Sequence, residues 1–215
     1  MAIITANWLK KYTKLRHLQP MLENRQLHLG APEGWDDKND SELIQLYSKA
    51  SGGFVVRVNC LTMAPDRFHF WDIFGERENG VCLWFDKVGL LADIQKNQSL
   101  VANNVQYKLP SELCKLEPKY VPFAKRKQYR DEDEFRVLRV KPAEHMALDK
   151  FEFSASSLRK IYLNPWLKNS EVVFQKGYIG NMLGNELGHV EILQNRTLRK
   201  QDWIDAAKQA LKTDT

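Results

Sequence analysis

The chain has 215 residues, 43% hydrophobic, 11% aromatic and 27% charged, which is enough to bury one substantial core and excludes a disordered polymer. Its formal net charge of +5 favours a polyanionic partner, yet no dense Lys/Arg stripe interleaved with aromatics marks a dedicated nucleic-acid binder. Three widely spaced cysteines (Cys60, Cys82, Cys114) without CxxC or HxxxH spacing argue against zinc, and no apolar run reaches the length of a bilayer span. With a weakly apolar N-terminus, the expectation is a cytoplasmic, soluble chain with no membrane partner.

In chain order, Leu15, Leu18, Met21 and Leu22 recur at helical spacing after Lys11-Tyr12-Thr13, and residues 26–29 read as a short strand. The turn-rich stretch Trp35-Asp36-Asp37-Lys38-Asn39-Asp40 leads into a helix through Leu43, Ile44 and Tyr47, capped by Asp40 or Ser41. Ser51-Gly52-Gly53 ends it, and the β-branched residues 54–61 form a strand. Asp66 is placed to cap an aromatic helix over 68–74, ended by Gly75. Asn79-Gly80 then turns into a strand over 81–85.

A helix is expected over 87–95, with strands around 105–107, 135–140, 158–163 and 189–193. Gly177, Gly180, Gly184 and Gly188 read as turns. Trp203, Ile204, Ala207 and Leu211 make the apolar stripe of a terminal amphipathic helix, about 201–213. Helices and strands intermix without a strict βαβ rhythm. This predicts a single α+β domain over 1–215, with a mixed or antiparallel central sheet flanked by helices.

The stretch from Lys125 to Arg136 carries the strongest chemical signal. Basic residues run into Asp131-Glu132-Asp133-Glu134, which open the apolar run from Phe135. On a strand, Glu132, Glu134 and Arg136 would share one face and Phe135 and Val137 the other. Two carboxylates beside an arginine suit acid/base or sugar chemistry, whereas a solvated strand end would pair the same charges at little energetic gain. The Trp35–Asp40 loop is either a helix cap or the wall of a site, and it lacks the glycine and terminal glutamate of an EF-hand. Trp71, Phe74, Trp84 and Phe85 sit at core periodicities. Among the histidines, His69 beside Trp71 is the one worth testing, and no metal site is expected.

Several motifs occur together and in order. They are Lys11-Tyr12-Thr13, Trp35–Asp40, Phe70-Trp71-Asp72-Ile73-Phe74-Gly75, Gly80–Asp86, Val105-Gln106-Tyr107, Lys125-Arg126 with Glu132-Asp133-Glu134-Phe135-Arg136, and Ile161-Tyr162-Leu163-Asn164-Pro165-Trp166. From about residue 11 to 195 the set resembles the bacterial and phage domain-of-unknown-function family numbered 2971, and more distantly ADP-ribosyltransferase-like folds. That resemblance implies a polar triplet on the first strand (Lys11, Tyr12, Thr13), an aromatic region from Trp71 to Phe85, and a catalytic Glu134 aided by Glu132. It implies NAD as a substrate rather than a resident cofactor. Lys11, Tyr12, Thr13, Trp35, Asp37, Asn39, Trp71 and Arg136 would line the nucleotide pocket, and the biology would be that of toxins or phage conflict. The triplet departs from the transferase pattern by lacking a His or Arg, and no Ser-Thr-Ser motif follows. Two readings stand: a transferase-like or NAD-glycohydrolase enzyme, and a non-enzymatic protein- or nucleic-acid-binding module using the basic run 119–130.

Overall fold

The computed structural model describes residues 7–142, 149–198 and 200–211. The chain enters on β1 (Trp8–Lys14), followed by α1 (Leu18–Asn24), β2 (Gln26–His28), α2 (Lys38–Ala50) and β3 (Val55–Thr62). Next come α3 (Phe68–Ile73), β4 (Gly80–Asp86), α4 (Lys87–Gln95), β5 (Leu100–Asn104), β6 (Gln106–Lys108), α5 (Pro110–Leu113) and β7 (Ala124–Arg126). The last third holds β8 (Glu134–Lys141), β9 (Lys150–Glu152), β10 (Leu158–Leu163), α6 (Asn169–Leu183), β11 (Glu191–Gln194) and α7 (Gln201–Ala210).

Seven strands form the central sheet in the order β11-β10-β4-β1-β3-β8-β5. Every described pairing within it is antiparallel except β10 with β11, so the architecture is α+β with a mixed, mostly antiparallel sheet. Strand alternation divides its side chains. Leu9, Leu61, Leu83, Phe85, Phe135, Val137, Ile161 and Leu163 bury on one face against α1, α4 and α6. On the other face α2 packs Ile44 against Val56, Val58 and Leu138, and α3 packs Phe70 and Trp71 against Tyr12 and Cys82.

The seam between β1 and β3 is barely paired. Lys10 and Thr62 are their one aligned pair, whereas β1 is in register with β4 from Trp8 to Lys14 and β3 with β8 from Val55 to Thr62. Beyond Lys10 the sheet therefore parts, and Lys11 Nζ bridges the gap by donating to Cys60 O at 3.0 Å.

Several local expectations are corrected. Lys11-Tyr12-Thr13 lie on β1, but the helix expected from Leu15 begins only at Leu18, after a 3-10 turn over Leu15–His17. Asp37 rather than Asp40 caps α2, accepting from the Asn39 and Asp40 amides. Asp66 caps nothing, since α3 starts from Arg67 and the carboxylate is occupied elsewhere. Gly177 and Gly180 lie inside α6, where a Cβ would meet open space, and Gly184 follows its end. Phe74 is 43% exposed rather than core. The expected helical residues 212 and 213 lie outside the described ones.

Gly75 and Gly80 let the loop between α3 and β4 close on itself. A Cβ on Gly80 would stand 2.9 Å from Gly75 O and 3.1 Å from Arg77 O, both backbone atoms that cannot swing aside. Gly80→Ala should cost about 1–3 kcal/mol as overpacking, read as a lower urea midpoint at unchanged slope.

Candidate active site

β8 opens with a left-handed residue, Asp133 (φ 40), which turns the chain out of a 3-10 helix over Lys127–Glu132. The strand thus starts at Glu134, and Glu132 lies outside it; the expectation of three residues on one strand face holds only for Glu134 and Arg136. Lys125, on β7, brings Glu132 back. Its ammonium stands 2.5 Å from Glu132 Oε2, 3.3 Å from Glu134 Oε2 and 3.7 Å from Asp40 Oδ2.

Arg136 is not on a solvated surface. It is fully buried, donating from Nε to Glu134 Oε1 (2.8 Å), from Nη1 to Pro122 O (3.0 Å) and from Nη2 to Asp40 Oδ2 (2.5 Å). Its guanidinium lies 5.4 Å from the ring centre of Trp35. Three carboxylates (Asp40, Glu132, Glu134) thus face two cations (Lys125, Arg136).

That imbalance separates the acids. Burial alone would raise the Glu134 carboxyl, but the charges of Arg136 and Lys125 outweigh it and hold it down at about 2. For Glu132 burial outweighs Lys125, and for Asp40 it outweighs Arg136 and Lys125, so both are raised from their ordinary values. The two glutamates are thus pushed in opposite directions, and Glu132 is the more exposed of them.

The remaining candidates divide into groups. Trp35 and Asp37 join the Glu134 side, Asp37 accepting from Arg126 Nη2 at 3.0 Å, while Asn39 is an exposed residue in the first turn of α2. Tyr12 and Trp71 meet edge-to-face at 5.1 Å, and both donate to Asp66 Oδ1, at 2.8 and 3.0 Å. The other Asp66 oxygen accepts from Asn195 Nδ2 at 2.9 Å and from the Thr197 hydroxyl. Burial would raise Asp66, but these four donors keep it below its ordinary value. Thr13, one residue from Tyr12, follows the opposite face of β1, so the triplet does not line one wall. His69 stands apart, 3.2 Å from Asp131.

Asp40, Lys125, Asp66 and Lys10 were not singled out as site residues by sequence reasoning. Lys10 is buried beside Trp84, 4.5 Å from its ring centre, and donates to Ala64 O at 2.5 Å. Lys10, Thr62 and Glu134 are successive cross-strand neighbours, so they form a row on one sheet face. Among the described residues no group of three metal-ligating side chains forms a cation site, and no helix is long and apolar enough to cross a membrane.

No family model matches the chain, that of the domain-of-unknown-function family included, and no curated protein matches it. Solved structures of Thermus sp. 2.9 DarT are similar to it. The complex with NAD+ is 9% identical, with 89% of this chain and 96% of that one covered at a TM-score of 0.45. The complex with carba-NAD+ gives 10%, 89%, 96% and 0.46, and that with ADP-ribosylated ssDNA 10%, 89%, 95% and 0.45.

Removing Arg136 leaves buried carboxylates without their main partner, so Arg136→Met should destabilise by about 3–5 kcal/mol. Because folded Glu134 titrates at about 2 against an ordinary 4.5, its contribution is complete above pH 4.5 and is lost as pH falls toward 2. Asp40 and Glu132, being raised, act in the opposite sense. Urea midpoints taken from about pH 5 to about pH 2.5 should therefore fall less steeply in Glu134→Gln than in wild type. Parallel acid limbs would remove Glu134 from the account.

Proposed function

We propose that this chain processes NAD or a related nucleotide by cleaving an N-glycosidic bond, in the manner of an ADP-ribosyltransferase or NAD glycohydrolase. What carries the reading is the Glu132/Glu134 pair. Two carboxylates share one lysine, with proton affinities pushed in opposite directions, beside the seam where the sheet parts.

In this reaction the bond between ribose C1′ and the nicotinamide nitrogen breaks, and its electron pair leaves with nicotinamide. The sugar is left as an oxocarbenium-like centre. Glu134, ionised at every working pH, supplies fixed negative charge toward that centre and accepts a hydrogen bond from a ribose hydroxyl. Glu132 in its deprotonated form takes the proton from water, or from an acceptor hydroxyl or amine, as that nucleophile bonds to C1′. Arg136 and Asp40 position Glu134 from behind. Lys125, the most exposed cation of the group, turns from Glu134 to the nucleotide's pyrophosphate and so uncovers the carboxylate. The Lys11 ammonium lies in the seam on Cys60 O, and burial lowers its proton affinity.

Incubation with NAD should release nicotinamide, and Glu134→Gln should cut the rate by about 10²–10³-fold while leaving the fold intact by circular dichroism. Glu132→Gln should weaken turnover and flatten its pH profile. Absence of both release and any thermal shift from NAD or ADP-ribose would sink the enzyme reading and favour the binding module.

A further inference from the structure

A separate cavity lies away from Glu134. It has a volume of about 1110 Å³ and opens where the end of α1, the start of β2, the end of α4 with the segment after it, β8 and β9 meet. That is ample for a nucleotide-sized molecule. Arg139 lies at its floor, near the far end of β8. Residues 134 and 139 are an odd number of positions apart, so the two side chains leave opposite faces of the sheet, with roughly 16 Å of strand between them.

Arg139 is only 4% exposed, yet among the described residues it has no carboxylate partner. Its Nε donates to Ser99 Oγ at 3.1 Å and its Nη1 to Lys150 O at 3.0 Å, both neutral acceptors on cavity-lining residues. Among the described residues the rest of its five N–H groups find no acceptor. Burial pulls its proton affinity down, with Asp149 the opposing charge. Arg57 lies directly across from it on β3 and is paired with Asp149 at 3.5 Å. Two arginines opposite one another are unfavourable unless negative charge is supplied.

Among the described lining residues five cationic side chains meet three carboxylates, and the Asp93 carboxylate is already taken by Ser154, Ser157 and Lys96. Lys141 and Lys150 stand at the rim with the amide side chains of Asn97 and Gln98. A buried guanidinium with an open edge, in a cavity with excess positive charge, is built for a bidentate oxyanion.

We propose that this cavity is a second ligand site, taking the phosphate group of a small phosphorylated molecule, with Arg139 as its anchor and Lys141 and Lys150 as rim contacts. It rests on nothing in the reading of Glu134. A binding site on the opposite sheet face would act on the first only through β8, which the two share.

Inorganic pyrophosphate is the probe. Wild type should show a saturable rise in Tm with pyrophosphate, beyond that given by KCl at matched ionic strength. Arg139→Gln should abolish the rise. Lys141→Ala/Lys150→Ala, which alters only rim side chains, should weaken the fitted Kd about tenfold or more. Glu134→Gln should leave it unchanged. If pyrophosphate does no more than KCl, if Arg139→Gln responds like wild type, or if Glu134→Gln abolishes the rise, the site is not there. Stabilisation by an oligodeoxythymidylate but not by pyrophosphate would make the surface a nucleic-acid contact and equally overturn the proposal. Should Arg139→Gln fail to fold, an unchanged Kd in the rim variant overturns it alone.

Discussion

The Arg136 guanidinium is the interaction on which the rest depends. A cation with no exposure to solvent survives only where hydrogen-bonding partners replace its water, and here they come from three separate segments. Glu134 is its strand neighbour two residues before, Asp40 comes from the first turn of α2, and the Pro122 carbonyl comes from the 3-10 segment preceding β7. One side chain thus fixes where α2 sits on the sheet, how β7 approaches β8 and in which protonation state Glu134 is held. The same contacts serve stability and chemistry.

The sheet behaves as two blocks, β11-β10-β4-β1 and β3-β8-β5, touching at Lys10 and Thr62. Each block carries its own polar anchor on the same face. Asp66, with Tyr12 and Trp71, fastens the first, and Arg136 with its carboxylates fastens the second. A lysine ammonium crosses the seam between them in place of a backbone ladder. Such a joint is weaker than a regular strand pair, because one long, flexible side chain replaces successive amide hydrogen bonds.

What was legible in the sequence is local. The β-branched run at β3, the Asn79-Gly80 entry to β4, the helix over 87–95 and the alternation of Phe135 and Val137 all follow from periodicity, and the structure has them. Overall α+β architecture followed from the same signals. Elements that broke their own rules were missed. α6 carries two glycines in its interior, and β5 (Leu-Val-Ala-Asn-Asn) has no alternating pattern. The candidate site was legible in part, because the acidic cluster before Phe135 announces itself. Its burial does not, since the partner that removes Arg136 from solvent, Asp40, lies 96 positions earlier in the chain. Asp66 was misread for the same reason: capping is a rule about neighbours, and its partners Tyr12 and Thr197 are 54 and 131 positions away.

The Asp66 anchor also bears on how the protein is made. Its four donors come from the first strand, from the adjoining helix and from Asn195 and Thr197, nearly the whole chain later. During synthesis the early part emerges first, at about 5–20 residues per second. Until Asn195 and Thr197 have cleared the ribosome, the Asp66 carboxylate holds only half its donors. The Arg136 cluster, complete once β8 is out, needs none of those residues. The nascent protein therefore passes through a stage in which the Arg136 anchor is complete while the Asp66 anchor holds only Tyr12 and Trp71.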